Sequence, residues 1–375
     1  MLQAIVGGSC EAGRPSENMG ERPEVILDQG NPERTGKRRS ITGRQLARLV
    51  GVSQSAVSRA FTPGSSISAE MRELILKTAR ELNYHPNAIA SMLSRSRTNI
   101  VGIVVSEMQN PFYPLIIERL SRALQQVGLQ SLMFNVTRSS SFEQQLAALR
   151  QYNVDAVIVL SATALSGPAL HWATENRAAI LVNRSLPDNS ITSVCCDNAS
   201  GAREIADHLY AIGRRRVAYV AGLAHTSTNL ERQSAFITRV AELGMTLTMQ
   251  LSGGEYSYEA GYRAAREIAA KGDTDGIFFA NDILAIGGMD ALRDEAGLSV
   301  PDDIAVVGFD DIAMGSWPRY SLTTYRQPVD DLVDRTVRLI ADGDVEPGKP
   351  PIAVRLPGSL IKRASSMGGA SVAFA

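Results

Sequence analysis

The chain has 375 residues, more than one ordinary domain, and 44% of them are apolar, enough for substantial cores. No apolar run approaches the ~18 residues that would mark a membrane span, and among 3 cysteines the adjacent Cys195 and Cys196 fit neither a metal or redox spacing nor a disulfide framework. Residues 1–10 lack a basic leader, and Gly7-Gly8-Ser9 before Cys10 is not a Leu-led lipobox, so a soluble cytoplasmic protein with reduced thiols and no membrane partner is expected.

The net charge of -1 conceals an uneven distribution. Residues 37–98 hold 11 Lys/Arg and 3 Asp/Glu, giving +8, whereas residues 1–36 carry -3 and the remainder -6. A basic head on an acidic body suits a polyanion touched at one end. A solvated charged surface produces the same bias, so the motifs have to decide.

Residues 1–38 mix Gly, Glu, Pro, Asn and Arg without an apolar period, and are read as a disordered extension or an over-long translation start. From Thr42 a short helix places Leu46, Leu49 and Val50 on one face. Gly51 allows a sharp turn, and Ser53 is suited to cap a second helix in which Val57 and Ala60 face inward. Ser68 caps a third helix, with Glu70 at its positive dipole end and Met71, Leu74, Ile75 and Leu82 as its packing stripe. Residues 39–86 thus read as an all-α helix-turn-helix head.

Beyond Thr98 apolar strands alternate with amphipathic helices, the mark of a parallel, doubly wound α/β body. Strands are predicted at 100–106, 129–136, 156–161, 179–183, 217–222, 276–281 and 304–309, and helices at 113–127, 142–152, 199–212, 231–243, 258–271 and 284–295. These are too many units for one small sheet. Two lobes fit within 99–363, joined near Leu186–Asp197, with Leu322–Gln327 and Val354–Leu356 as late strands crossing between them. Residues 364–375 read as a flexible tail, with no leucine heptad after Arg363.

A recognition helix enters the major groove with its N-terminal side chains on base edges. Gln54, Ser55 and Arg59 are the groups suited to bases, since Gln pairs bidentately with adenine and Arg with guanine. Arg44, Ser53 and Ser58 are better placed for phosphates. A helix-turn-helix pattern is only moderately specific, because many helical hairpins imitate it.

The segment Glu81-Leu82-Asn83-Tyr84-His85-Pro86-Asn87-Ala88-Ile89-Ala90 is more specific. Together with Gly51-Val52-Ser53, Val57-Ser58-Arg59 and Asn110-Pro111-Phe112-Tyr113 it resembles the LacI/GalR family of bacterial regulators, from about Thr42 to Arg363. The resemblance implies a homodimer on a double-stranded, near-palindromic DNA operator. It also implies a hinge helix at Asn87–Ser94, within a linker at 87–98, and Leu93 as an apolar wedge in the minor groove, where unstacking a base step kinks the duplex. Hinge-to-hinge packing is a second reading of Leu93.

For the body, the resemblance implies a periplasmic-binding-protein-like cleft for a small-molecule effector of the sugar or sugar-acid class. Open α/β sheets bind ligands beyond their strand C-termini. The residues matching the family's ligand contacts are Phe112, Asp197, Arg232, Asn281 and Asp310, with Gln327 on a late strand. An aspartate at such a strand end serves equally as a helix cap or an Arg partner. Two positions depart from the family pattern: Gln45 stands where Asp is usual, and Ala235 where Gly commonly follows Arg232. No nucleotide loop, nucleophile elbow or metalloprotease motif occurs, and His85, His171, His208 and His225 lack metal spacing, so no cofactor and no enzymatic activity are expected.

Overall fold

The computed structural model describes residues 41–62, 64–85, 97–106, 108–135, 147, 149–160, 172 and 177–367. The chain divides into two compact units, Met1–Ser91 and Met92–Ala375. The expected extension, the hinge helix with Asn87 and Leu93, most of the predicted 142–152 helix and residues 368–375 lie outside the described residues.

In the first unit three helices span Gly43–Val50, Gln54–Ala60 and Ala69–Glu81. Thr42 and Gln45 form a reciprocal capping box, the Thr42 hydroxyl accepting from Gln45 N and the Gln45 amide oxygen accepting from Thr42 N. The unusual Gln45 therefore has a structural task at this helix start. Gly51 ends the helix at φ 75°, a left-handed conformation that costs glycine little. Ser53 Oγ then accepts from Ala56 N at 3.2 Å and starts the second helix.

Leu46, Ala47, Val57, Ala60, Ile75 and Ala79 form the small core. Leu49 is 64% exposed and does not join it, correcting the predicted face. The core lies between the directions of Leu46 and Ala47, and Leu49 points roughly 110° away from it. Leu74 and Leu82 are likewise exposed; Met71, Ile75 and Ala79, spaced by four, carry that helix's inner face instead. Arg72 donates to the carbonyls of Ala60, Thr62 and Ser65 and so fixes the loop that follows the second helix.

The second unit contains twelve described strands: Ile100–Val105 (β1), Gln130–Asn135 (β2), Ala156–Leu160 (β3), Ala178–Val182 (β4), Thr192–Cys196 (β5), Arg216–Ala221 (β6), Thr246–Ser252 (β7), Gly276–Phe279 (β8), Ala305–Asp310 (β9), Thr323–Arg326 (β10), Ala353–Leu356 (β11) and Ser359–Ile361 (β12). They form two sheets, ordered β11-β5-β4-β3-β1-β2 and β12-β10-β9-β8-β6-β7. Every pairing is parallel except β10 with β12. The inner strands are buried throughout because helices cover both faces, which explains their unbroken apolar runs.

The expected two-lobed α/β body is thus present, with corrections to its details. The join expected near Leu186–Asp197 falls at the end of that window: Thr192–Cys196 is itself a strand of the first sheet, so the chain crosses at Asp197. It crosses back after Gln327, because helix Val329–Ala341 packs on helix Phe112–Gln126 and on β4 and β5. It crosses a third time at Pro357-Gly358, between β11 and β12. The two late segments do form strands, Thr323–Arg326 in the second sheet and Ala353–Leu356 in the first, but neither crosses between the lobes; the chain crosses beside them. Ala364–Met367 is not a loose tail: Ser365 Oγ donates to Val306 O at 2.6 Å, and Ser366 Oγ lies 2.7 Å from the buried His208 Nε2. The Ser365 hydroxyl serves two backbone groups, Val306 O and Thr323 N, while that of Ser366 joins the side chains of His208 and Thr323.

Candidate functional site

In the head, Arg44, Ser53, Gln54, Ser55, Ser58 and Arg59 are all exposed. Ser53 Oγ, besides capping the helix, lies 2.9 Å from Ser55 Oγ, and Arg59 Nε reaches back to Ser55 O at 3.4 Å. Gln54 and Arg59 are thus exposed on a helix whose inner face is Val57 and Ala60. A short helix held by a cap on one side and by the Arg72-fixed loop on the other is a rigid support for the exposed side chains it carries.

In the body, the ends of strands from both lobes meet in a polar cleft. Its lining comprises Asn110 beyond β1, Asn183 and Arg184 beyond β4, Thr228 beyond β6, Tyr256 beyond β7, and Asn281 and Asp310 beside Arg232. Strand order reverses at β1 in one sheet and at β6 in the other, the switch points where open α/β sheets bind ligands. The cavity measures about 10 Å³, room for about one water, so the lobes are closed on their own side chains.

Arg232 is 3% exposed. Its Nε donates to Asn198 Oδ1 at 2.9 Å, its Nη1 donates to Ala280 O at 2.6 Å, and its guanidinium carbon lies 3.6 Å above the Phe309 ring centre. Asp310 stands 3.8 Å from Nη2 and accepts from Gln327 Nε2 at 2.6 Å. Burial pushes the Asp310 carboxyl up to about 6, while Arg232 and the amides of Gln327 and Asn110 pull it back.

The backbone at Asp310 and Asp311 has φ of 122° and 58°, strained for residues other than glycine. Asp311 is held there by Arg326 and Arg363, and Ile312 N donates to the wholly buried carboxylate of Asp282. Asp282 thus shapes the turn beneath the cleft, and Gly308 leaves it room: a Cβ there would lie 2.2 Å from Asp282 Oδ1.

Three buried polar atoms around this cleft have no hydrogen-bond partner among the described residues: Asn183 Oδ1, Asn281 Nδ2 and Gln327 Oε1. Such atoms are costly inside a folded protein and mark a place where a ligand's polar groups complete the set. They offer both donors and acceptors, the complement of hydroxyl groups.

Arg232, Asn281, Asp310 and Gln327 are therefore brought together as the sequence suggested. Asp197 is not: its carboxylate accepts from Ser200 N and Ser200 Oγ and caps helix Asn198–Ala211. The adjacent Asn198 is the residue that meets Arg232. Phe112 is 1% exposed and buried in the apolar core, while its neighbour Tyr113 lines the cleft. One residue along a helix is a turn of roughly 100°, which separates those two aromatics. Sequence reasoning also missed Asn183, Arg184, Thr228 and Tyr256. For Asn183 and Arg184 the available signal was position, directly after β4; Thr228 and Tyr256 lie farther along, in the helix after β6 and in the loop after β7.

Burial pushes the thiols of Cys195 and Cys196 up to about 12, so both stay protonated and unreactive. Among the described residues no group of three His, Cys, Asp or Glu side chains is placed to hold a metal ion, and no helix is long and apolar enough to cross a membrane.

A helix-turn-helix head and a two-lobed body with a polar cleft define a ligand-responsive DNA-binding regulator. The family model for bacterial regulatory proteins of the lacI family matches residues 44–87, and that for the periplasmic binding protein-like domain matches 206–366. The transcriptional regulator CelR of Thermobifida fusca is 29% identical over 316 residues, covering 82% of this chain and 92% of CelR. The ribose operon repressor of Halalkalibacterium halodurans is 27% identical over 330 residues, covering 88% and 98%. Among solved structures, the lac repressor dimer bound to operator and the anti-inducer ONPF has a TM-score of 0.77 at 26% identity, covering 88% of this chain and all of that one. The CelR–cellobiose complex has a TM-score of 0.66 at 27% identity, covering 87% and 100%. The chain belongs to the LacI/GalR family: it is an effector-controlled DNA-binding regulator and not an enzyme.

Proposed function

We propose that this protein is a homodimeric repressor whose hold on an operator is set by a sugar or sugar acid bound between the lobes. The observation that carries this reading is the convergence of Arg232, Asp310 and Asn281 in a buried cleft, with Gln327 bonded to Asp310 behind it and three unpartnered polar atoms around it, in a chain that also bears a DNA-reading head. CelR, solved with cellobiose, supports a carbohydrate effector, and the lac repressor dimer supports two copies. Gln54, Ser55 and Arg59 read bases; Arg44, Ser53 and Ser58 hold phosphates; Asn87 and Leu93 act in the hinge. In the cleft, Arg232, Asn281, Asp310 and Gln327 bind the effector directly, joined by Asn183.

Control follows from linkage. An effector that fits one lobe arrangement better draws the population toward it, and operator affinity changes only by that difference. A solute receptor for transport would share the cleft but has no use for the head.

Gel retardation on the protein's own upstream region tests the reading. Neutralised phosphates release counterions, so binding should weaken steeply between 50 and about 200 mM salt. Gln54→Ala and Arg59→Ala should each cost about 1–3 kcal/mol on the cognate site and much less on random DNA. Equal losses on both would remove these side chains from base reading.

Asp310 makes effector binding pH-dependent. With its carboxyl at about 6 in the folded protein, acidification through that value neutralises the acceptor, and affinity should fall by up to about tenfold per pH unit below it. The stability linkage has its own sign: the native carboxyl binds its proton more tightly than the unfolded one. This group's contribution is therefore fullest at low pH and declines as pH rises toward 6. Calorimetric titration of effector between pH 7.5 and about 5 checks the first point; a flat profile would contradict it.

A further inference from the structure

One carboxylate on the second lobe is tied to the first. Glu231, in helix Ser227–Glu242, accepts from Arg355 Nη2 at 3.3 Å and from Ser185 Oγ at 3.5 Å. Arg355 lies on β11 and Ser185 just beyond β4, both in the first lobe. Beside them Ser185 N donates to Ser227 Oγ at 3.1 Å, a second tie between the lobes.

On its other side Glu231 accepts from Asn198 Nδ2 at 2.7 Å. The oxygen of the same amide accepts from Arg232 Nε at 2.9 Å. Asn198 directly follows the first crossing point and is 1% exposed, so its orientation is fixed. One buried amide therefore positions two consecutive side chains, one directed into the cleft and one across the lobe boundary. An aliphatic residue at 231 would leave the Asn198 Nδ2 group and the Arg355 guanidinium without this acceptor.

We propose that Glu231 is a positioning residue that latches the lobes: anchored by Asn198, it holds the first lobe through Arg355 and Ser185 and sets the fraction of chains already closed. This rests on the reading that Arg232 lies in the effector cleft. Apparent effector affinity scales with the closed fraction, so the latch presets sensitivity without touching the ligand. Glu231 and Arg355 are each about a third exposed, and solvent screening keeps the pair's effect moderate.

The test reads lobe closure directly, on full-length protein without DNA or effector. Nitroxide labels at Gln126→Cys in the first lobe and Ala270→Cys in the second, in a Cys10→Ser background, report the inter-lobe distance by pulsed electron resonance. Buried Cys195 and Cys196 stay unlabelled, and diluting labelled chains into unlabelled ones isolates distances within one chain. Glu231→Ala should raise the longer-distance population about fivefold, Arg355→Ala should do nearly the same, and the double variant should add little, as for residues acting as a unit. An unchanged distribution in Glu231→Ala, or fully additive shifts in the double variant, overturns the latch. Neither result bears on operator binding, so the latch and the proposed function fail separately.

Discussion

Replacing Arg232 by alanine is expected to abolish the rise in melting temperature that a bound effector produces, while the effector-free variant still binds operator. A ligand that binds only the native state raises stability in proportion to the logarithm of its concentration over Kd. Arg232 lies at the centre of the cleft, held by Asn198, Ala280 O and the Phe309 face, with Asp310 on its open side. Its removal deletes the cationic, forked donor and leaves Asp310 buried without its counter-charge. Breaking a buried pair on one side costs about 3–5 kcal/mol. Effector affinity should therefore fall more than about a hundredfold, and the melting temperature of the free protein should drop as well. Arg232→Lys keeps the charge but not the fork, so it should recover stability better than effector binding. A thermal-shift screen of sugars and sugar acids decides the point: an unchanged shift in Arg232→Ala would remove this residue from the pocket.

Gly261→Ala should destabilise the body severely. A Cβ at Gly261 would lie 1.9 Å from Leu284 O, and one at Gly287 would lie 2.0 Å from Tyr258 O. Helices Tyr258–Lys271 and Asp282–Asp290 thus touch backbone to backbone, and neither contact has a flexible side chain that can yield. Overpacking usually costs about 1–3 kcal/mol, and a rigid obstruction belongs at or above that upper end. The melting temperature should fall by roughly 6–12 °C, given about 2–4 °C per kcal/mol for a body of this size. The consequence reaches the cleft, because Asn281 caps the displaced helix through Leu284 N. A melting curve matching the parent would show that the two helices separate at little cost.

Much of this architecture is legible in the sequence because local chemistry and tertiary structure agree there. Ser53 and Ser68 are caps in both, Gly51 ends the first helix, and the unbroken apolar runs of β1, β3, β4 and β9 require a doubly covered sheet. Arg232, Asn281 and Asp310 are legible as polar residues following apolar strands. Other features are hidden for physical reasons. β7 is an edge strand that alternates polar and apolar residues, and β5 has Val194 as its one aliphatic residue among Thr, Ser and Cys, so neither has an aliphatic run. Helix Val329–Ala341 begins with Pro328 and two aspartates, and its apolar face shows only when period is weighed over the full length. Tyr256 enters the cleft because Gly222, distant in sequence, lacks a Cβ that would meet its ring at 2.4 Å. The exchange of Phe112 for Tyr113 reflects helix rotation, which a strand-end argument cannot resolve to one residue.

A cleft that senses a metabolite and a head that holds DNA have meaning together only if each alters the other. The direct measurement is operator affinity, on a fragment of the protein's own upstream region at fixed salt, with and without the sugar that raises its melting temperature. The expected result is a change of about 5–150-fold, the ordinary range of coupling between linked sites, and no change in Arg232→Ala. Equal operator affinity with and without that sugar in the parent protein would contradict the account.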